Sequence, residues 1–277
     1  LLERVQQRSA SAREAAMCRW IAYAGEPIFI EDFVTIPEQS LIVQSRSSRE
    51  AKSIVNGDGF GLGWYGERQE PGIFRDLRPA WSDENLLSLA RQIRSRLFFA
   101  HVRASTGTAI SRANCHPFSL GAWMFMHNGG IGDWEAVRRP VEARIPDALF
   151  RHRGGTTDSE AMFLLLLAFG LEADPMGAFA RMIGFVETTM AEHGNAEPLR
   201  FTAAATDGSS VYAVRYSTVI VPETLYVRRI SRANGHLMAS EPLDDGRTDW
   251  EAVPQQSVVV LAPGQIRIEA FKPDHSV

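Results

Sequence analysis

The hydrophobic pattern of this chain changes texture twice. Between Ala161 and Phe169 the residues Ala161-Met162-Phe163-Leu164-Leu165-Leu166-Leu167-Ala168-Phe169 are apolar without a break. The run falls short of the ~20 residues that span a bilayer. Thr157-Asp158-Ser159-Glu160 stands before it and reads as a capping box, with Thr157 as N-cap and Glu160 three residues on. A helix that is apolar on nearly all sides has to be buried. Asp174-Pro175 starts a second helix, cap then proline, which the pattern carries to near Gly194. Ser82-Asp83-Glu84 caps a third, running to about Arg96 with an apolar stripe at Leu86, Leu89, Ala90, Ile93 and Leu97.

Outside these helices the pattern is that of strands. Residues 19–24 alternate loosely and predict a strand, and residues 28–33 a short strand or turn. Residues 97–102 and 122–127 read as buried strands, the second stopped by Asn128-Gly129-Gly130. Residues 200–206, a turn at Asp207-Gly208, and residues 211–216 form a hairpin. Further strands are expected at 225–229, 237–240, 258–261 and 266–270. Strands at both ends with helices between favour an α+β fold with antiparallel sheets over a parallel βαβ arrangement.

Composition narrows the function classes. The 277 residues suffice for one large or two small domains, and 45% apolar with 22% charged residues is ordinary for a protein with a sizeable core. A net charge of −4 gives no nucleic-acid or anionic-membrane footprint. No apolar signal region opens the chain, so the cytoplasm is the expected location. The two cysteines, Cys18 and Cys115, are expected to be reduced, with Cys115 buried and inert. Residues 1–16 read as a leader, a tag or a mis-assigned start, and residues 17–277 as one domain.

The candidate chemistry begins at Met17-Cys18-Arg19-Trp20. Removing Met17 would leave Cys18 with a thiol and a free α-amine on one residue. That amine has an ordinary pKa of about 7.7–8 and can act as a base near neutrality. Gly61, Gly63 and Gly66 spell a G-x-G-x-x-G, but Glu67-Arg68-Gln69-Glu70-Pro71-Gly72 follows where a dinucleotide site needs a helix. Close backbone approach beside a buried site accounts for these glycines better. Arg103, leaving a core strand in His101-Val102-Arg103-Ala104-Ser105-Thr106, is placed to grip a carboxylate or to form a structural ion pair. His127-Asn128-Gly129-Gly130 offers either an oxyanion hole or a plain turn. Asp158 can take a ligand ammonium or simply suit a helix start. The seven histidines show no metal-binding spacing, and neither metal nor cofactor is expected.

Together, in this order, these segments resemble the class II glutamine amidotransferases, whose nucleophile is N-terminal. Asn114-Cys115-His116-Pro117-Phe118 is similar to that family's Asn-x-His-Pro segment. Ser240-Glu241-Pro242-Leu243 resembles the stand-alone branch, which includes γ-glutamyl hydrolases of ergothioneine biosynthesis and glutathione breakdown. The resemblance implies a four-layer αββα sandwich. It also implies Cys18 as nucleophile with its α-amine as base, and Asn128 and Gly129 as oxyanion hole. Arg103, Thr106, His127 and Asp158 would bind substrate, with Arg103 on the α-carboxylate and Asp158 on the α-ammonium.

The expected reaction is hydrolysis of a γ-glutamyl amide, glutamine or a γ-glutamyl conjugate, through a γ-glutamyl thioester. Two alternatives stay open: an ammonia-donating subunit of a separate synthase, and a non-catalytic binding protein if Cys18 stays blocked. A homo-oligomer is also open. The pocket for the leaving group is expected from loops 68–79 and 146–155, where Arg151-His152-Arg153 either meets an acidic group or is solvated.

Overall fold

The computed structural model describes residues 18–50, 55–105, 109–219, 223–246 and 249–276. The 1–16 segment, Met17 and Thr106 therefore lie outside the described residues.

The first part of the chain forms β1 (Arg19–Phe29), α1 (Glu31–Val34), α2 (Leu41–Arg46), β2 (Phe60–Trp64), β3 (Gly72–Asp76), α3 (Glu84–Gln92) and β4 (Arg94–Val102). Next come β5 (Phe118–Leu120), β6 (Trp123–Ile131), α4 (Trp134–Ala143), α5 (Asp147–Phe150), α6 (Asp158–Ala168) and α7 (Pro175–Glu192). The chain then runs through β7 (Leu199–Thr206), β8 (Val211–Ser217), β9 (Tyr226–Ile230), β10 (Gly235–Ala239), β11 (Glu251–Ala252), β12 (Ser257–Ala262) and β13 (Gln265–Ala270).

Two sheets result. One has the order β11-β9-β10-β1-β4-β2-β3, the other β13-β12-β8-β7-β6-β5, and their pairings are antiparallel. The period-two alternation of β1 shows how they stack. Ile21 and Tyr23 face outward and pack with Phe33, Val34, Leu41 and Leu86 of α1, α2 and α3's first turns. Trp20 and Ala22 face inward, against Met124, Met126, Ala204 and Ala213 of the second sheet. On that sheet's far side, Phe125, Phe201 and Ala203 pack with Val137 of α4, Phe163 and Leu165 of α6 and Phe179 of α7. The molecule is thus an α+β, four-layer αββα sandwich, with each sheet covered on both faces.

Helix signals were readable because their caps are real. Thr157 Oγ1 accepts from Glu160 N at 3.2 Å, Asp174 caps α7 through Gly177 N at 3.0 Å, and Asp83 caps α3 through Leu86 N at 2.7 Å. Residues from Ser159 to Leu166 of α6 are all buried, as the unbroken apolar run required.

Several expectations need correction. The third helix ends at Gln92, not near Arg96, because Ile93 is already extended and Arg94 and Ser95 pair with Phe29 and Ile28. Residues 28–33, expected as a short strand or turn, divide between the end of β1 and a helical turn over Glu31–Val34. Asn128-Gly129-Gly130 does not stop β6; β7 pairs with it through Asn128–Thr202, Gly129–Phe201, Gly130–Arg200 and Ile131–Leu199. Glu160 does not reach back to its cap residue. Its carboxylate accepts from Gly154 N at 2.9 Å and Gly155 N at 2.7 Å. Arg153 is not solvated: its side chain is buried between Glu142 and Glu160.

Candidate active site

The strand ends of the two sheets meet at a cleft of about 330 Å³. Cys18, just before β1, and Arg103, just after β4, reach it from the first sheet; His127 and Gly129 of β6 and Asp158 of α6 reach it from the second. Five of the seven sequence-nominated residues therefore share one cavity. Asn128 sits directly behind it, and Thr106 lies outside the described residues.

Cys18 is partly exposed, and its Sγ lies 3.4 Å from Ala104 N and 3.5 Å from Ala104 O. Burial raises its thiol pKa, opposed by the Ala104 amide and by the charges of Arg103 and Arg19. The thiol therefore needs a base to give up its proton. Its carbonyl oxygen is held from two sides, by Asn128 Nδ2 at 2.8 Å and Arg19 Nη1 at 3.0 Å.

The Arg103 loop is shaped by the glycine-rich segment before β2. Asp58 Oδ2 accepts from Ser105 N at 2.7 Å, Asp58 N donates to Arg103 O at 3.1 Å, and Arg103 N donates to Gly59 O at 2.8 Å. Arg103 Nη2 reaches Ser105 Oγ at 3.2 Å. The glycines of β2 serve close approach. A Cβ on Gly61 would lie 1.8 Å from His116 O, and one on Gly63 would lie 2.4 Å from Met124 Sδ. No helix follows β2, so the literal nucleotide fingerprint has no phosphate-binding end.

Gly129 has φ 125°, and a Cβ there would meet the Arg200 carbonyl oxygen at 2.1 Å. Only glycine lets β6 bring its backbone to the cleft here. Both hydrogens of the Asn128 amide are engaged, with Cys18 O and with Ser240 Oγ at 2.9 Å, while its Oδ1 has no hydrogen-bond partner.

Asp158 presents a fixed carboxylate at the start of α6. Oδ2 accepts from Ile131 N and Oδ1 from Ser159 N, both at 2.8 Å. Each oxygen keeps a lone pair for a further donor. His127 Nε2 lies 3.2 Å from the Arg200 carbonyl, which can only accept, so that nitrogen carries the proton. Nδ1 then accepts from Ser159 Oγ at 2.9 Å. Burial lowers the His127 pKa against the opposing Asp158 charge. His127 is thus a neutral brace with both ring nitrogens engaged.

Sequence reasoning overlooked the residues that hold Cys18 in place. Ser240 Oγ accepts from Trp20 N at 3.1 Å as well as from Asn128. Arg19 and Glu241, each 2% exposed, form an ion pair at 3.4 Å, and Glu241 also accepts from Arg49 N at 2.8 Å. Their signal was the Ser240-Glu241-Pro242-Leu243 segment, read as a likeness without a task. The cleft also takes Arg200 and Glu223 into its wall, and loops 68–79 and 146–155 do not line it. Cys115 is fully buried and both thiols are free. Among the described residues, no cluster of three His, Cys, Asp or Glu is placed for a metal, and no helix is long and apolar enough to cross a membrane.

A sequence model of the family "Glutamine amidotransferases class-II" matches residues 35–231. The chain is 34% identical to the probable glutamine amidotransferase DUG3 of Saccharomyces cerevisiae, over 88% of this chain and 82% of the yeast protein. It is 33% identical to the gamma-glutamyl-hercynylcysteine sulfoxide hydrolase of Mycolicibacterium smegmatis, over 88% and 95% of the two. Among solved structures, a glutamine aminotransferase class-II domain protein from Silicibacter pomeroyi matches with TM-score 0.75 and 36% identity, over 93% of this chain and 100% of that one. Glutamine PRPP amidotransferase of B. subtilis shares the fold, with TM-score 0.60 and 11% identity over 93% of this chain and 50% of its own. By sequence and by fold, this chain belongs to the class II glutamine amidotransferases, a family of enzymes.

Proposed function

We propose that the protein hydrolyses γ-glutamyl amides, with Cys18 as the first residue of the active form and residues 1–17 removed. The observation that carries this reading is the convergence of a thiol, an arginine and a fixed carboxylate, Cys18, Arg103 and Asp158, on one cleft. A γ-glutamyl group offers an α-carboxylate, an α-ammonium and a γ-carbonyl. Arg103 pairs with the first, Asp158 with the second, and Cys18 attacks the third. The relatives' names, one a γ-glutamyl hydrolase, support the same chemistry.

The α-amine of Cys18 takes the thiol proton, which the buried sulfur does not release unaided. The thiolate attacks the γ-carbonyl, and the oxyanion is stabilised by the Gly129 backbone and the Asn128 amide. For this Asn128 redirects one hydrogen from Cys18 O or Ser240 Oγ. The C–N bond breaks, the amine departs with the proton held by the α-amine, and a γ-glutamyl thioester remains. Water, deprotonated by the same amine, releases glutamate.

The test is glutamate release by protein beginning at Cys18, incubated with glutamine and with γ-glutamyl dipeptides. Release that is lost in Cys18→Ala is the expected result. No release from any substrate, with bound glutamine still detectable by calorimetry, would instead establish the binding-protein reading.

A further inference from the structure

The proposed reaction leaves two charged residues of the cleft wall without a task, Arg200 and Glu223. Strand register and contacts set the two on one wall of the cleft. Directly opposed residues of an antiparallel pair point to one face. Asn128 opposes Thr202 and Gly130 opposes Arg200, so Arg200 and Thr202 share the face of Asn128. That face looks toward the first sheet, since Asn128 bonds Cys18 and Ser240 there. Glu223 lies over the same face: its carbonyl accepts from Thr202 Oγ1 at 3.4 Å and from Arg215 Nε at 2.8 Å. Asp158, at the start of α6, reaches the same stretch of the cleft: a Cβ on Gly130, the strand partner of Arg200, would lie 3.2 Å from its Oδ2. With Arg103 and Asp158 assigned to the two charges of the γ-glutamyl group, Arg200 and Glu223 are the charged residues of the same cleft left for its leaving group.

Both residues are equipped to receive one. Glu223 is 9% exposed, and its Oε2 is buried without a hydrogen-bond partner. A buried acceptor left unmade is costly, so it marks a place where a donor belongs. Burial raises the Glu223 pKa, while Arg200, Arg215 and Arg19 oppose the rise. Among the described residues the Arg200 guanidinium makes no hydrogen bond or salt bridge, while its backbone lies in the β6–β7–β8 ladder and its charge acts on Glu223. The cleft, about 330 Å³, stands at the lower end of the roughly 300–1,000 Å³ usual for small-molecule sites.

Resting on the proposed reaction, we infer that Arg200 and Glu223 form a leaving-group subsite for an amine that carries a carboxylate, an amino acid or a short peptide. Arg200 binds that carboxylate through its planar fork. Glu223 Oε2 accepts the N–H of the scissile amide. As the C–S bond forms and the C–N bond breaks, the nitrogen takes the thiol's proton by way of the α-amine and departs as a neutral amine. A solvent proton then makes it an ammonium, and the product is a zwitterion matched by the Arg200–Glu223 pair.

The experiment compares γ-glutamylalanine with γ-glutamylethylamide, which lacks only the carboxylate, in protein beginning at Cys18. The expected ratio of kcat/KM is at least about tenfold in favour of γ-glutamylalanine, the worth of one charged hydrogen bond. Arg200→Met brings that ratio to about one, and Glu223→Gln lowers kcat/KM for both amides. A ratio near one in the unaltered protein, or one unchanged by Arg200→Met, overturns the subsite. Calorimetry on Cys18→Ala separates this from failure of the reaction itself. If Cys18→Ala binds γ-glutamylalanine no more tightly than the ethylamide, the subsite is wrong even where turnover is present. If it binds γ-glutamylalanine preferentially but no substrate is ever cleaved, the reaction is wrong and the subsite stands.

Discussion

Asn128 Nδ2 donates to the carbonyl oxygen of Cys18 at 2.8 Å, so one amide of the second sheet holds the start of β1 in the first. Ser240 completes the tie, taking the other amide hydrogen of Asn128 at 2.9 Å and the Trp20 N–H at 3.1 Å. The thiol is therefore placed by residues from three separate strands or strand ends.

Ser240→Ala tests that tie. It removes a hydroxyl from two donors, Trp20 N and Asn128 Nδ2, inside a dry region. Leaving a buried donor unsatisfied costs about 1–3 kcal/mol, which urea unfolding should record. Ser240 does not line the cleft, so KM should move little while kcat falls by about 10- to 100-fold through misplacement of the proposed nucleophile, Cys18. An unaltered kcat would show that the hydroxyl serves stability alone.

Gly129→Ala is expected to be much harsher than its one added methyl suggests. The new Cβ would have to occupy space 2.1 Å from the Arg200 carbonyl at a φ of 125°. Neither the strand partner nor the backbone angle can yield cheaply. We expect a stability loss above about 3 kcal/mol and loss of the β6–β7 pairing near the cleft. Amide hydrogen exchange at Gly130 and Phe201 would report that opening. Full protection there would mean that β6 accommodates the methyl.

The sequence made some of this legible and hid the rest for physical reasons. Local signals carried the helices: Thr157, Asp174 and Asp83 cap them, and each cap acts through a neighbour three residues away. The strands of the hairpin at Asp207-Gly208 were equally local. Misread boundaries came from pairing over long range. Asn128-Gly129-Gly130 has the composition of a turn, yet β7 extends β6 through it to Ile131. The cleft's lining was legible as far as Cys18, Arg103 and Asp158, because those residue types stand in recognisable segments. Ser240, Glu241, Arg200 and Glu223 acquire meaning only when the two sheets are stacked, since each meets residues far away in the chain.

Arg103→Lys separates charge from geometry. Arg103 Nη1 donates to Asp58 O at 3.4 Å and Nη2 to Ser105 Oγ at 3.2 Å, so its guanidinium plane is already oriented toward the cleft. A lysine keeps the charge but offers a single point of contact. With glutamine, KM should rise by about 10- to 100-fold, or about 1.4–2.8 kcal/mol. An unchanged KM, measured beside an unchanged Tm, would place the carboxylate site elsewhere.

Acid should weaken the fold through the histidines behind the cleft. His101 and His116 are buried and their rings lie 4.3 Å apart; neither His116 nitrogen has a hydrogen-bond partner, and His101 is faced by the His127 backbone and the Asn128 side chain. Burial, opposed by the His127 backbone and reinforced by the Arg103 charge, pushes His101 down to about 3; burial and the neighbouring His101 hold His116 well below its ordinary value. The unfolded chain titrates near 6.5 instead. Above that pH both states are neutral and these groups contribute nothing to stability. As pH falls below it, the unfolded state binds protons that the native state refuses, so stability is lost. For His101 alone the loss is about 1.4 kcal/mol at pH 5.5 and grows by about 1.4 kcal/mol per further unit until pH approaches its folded value. His101→Gln should remove one proton's worth of that slope in urea unfolding between pH 6.5 and 4.5. A slope identical to the unaltered protein's would show that His101 is already protonated, or already paired, in the folded state.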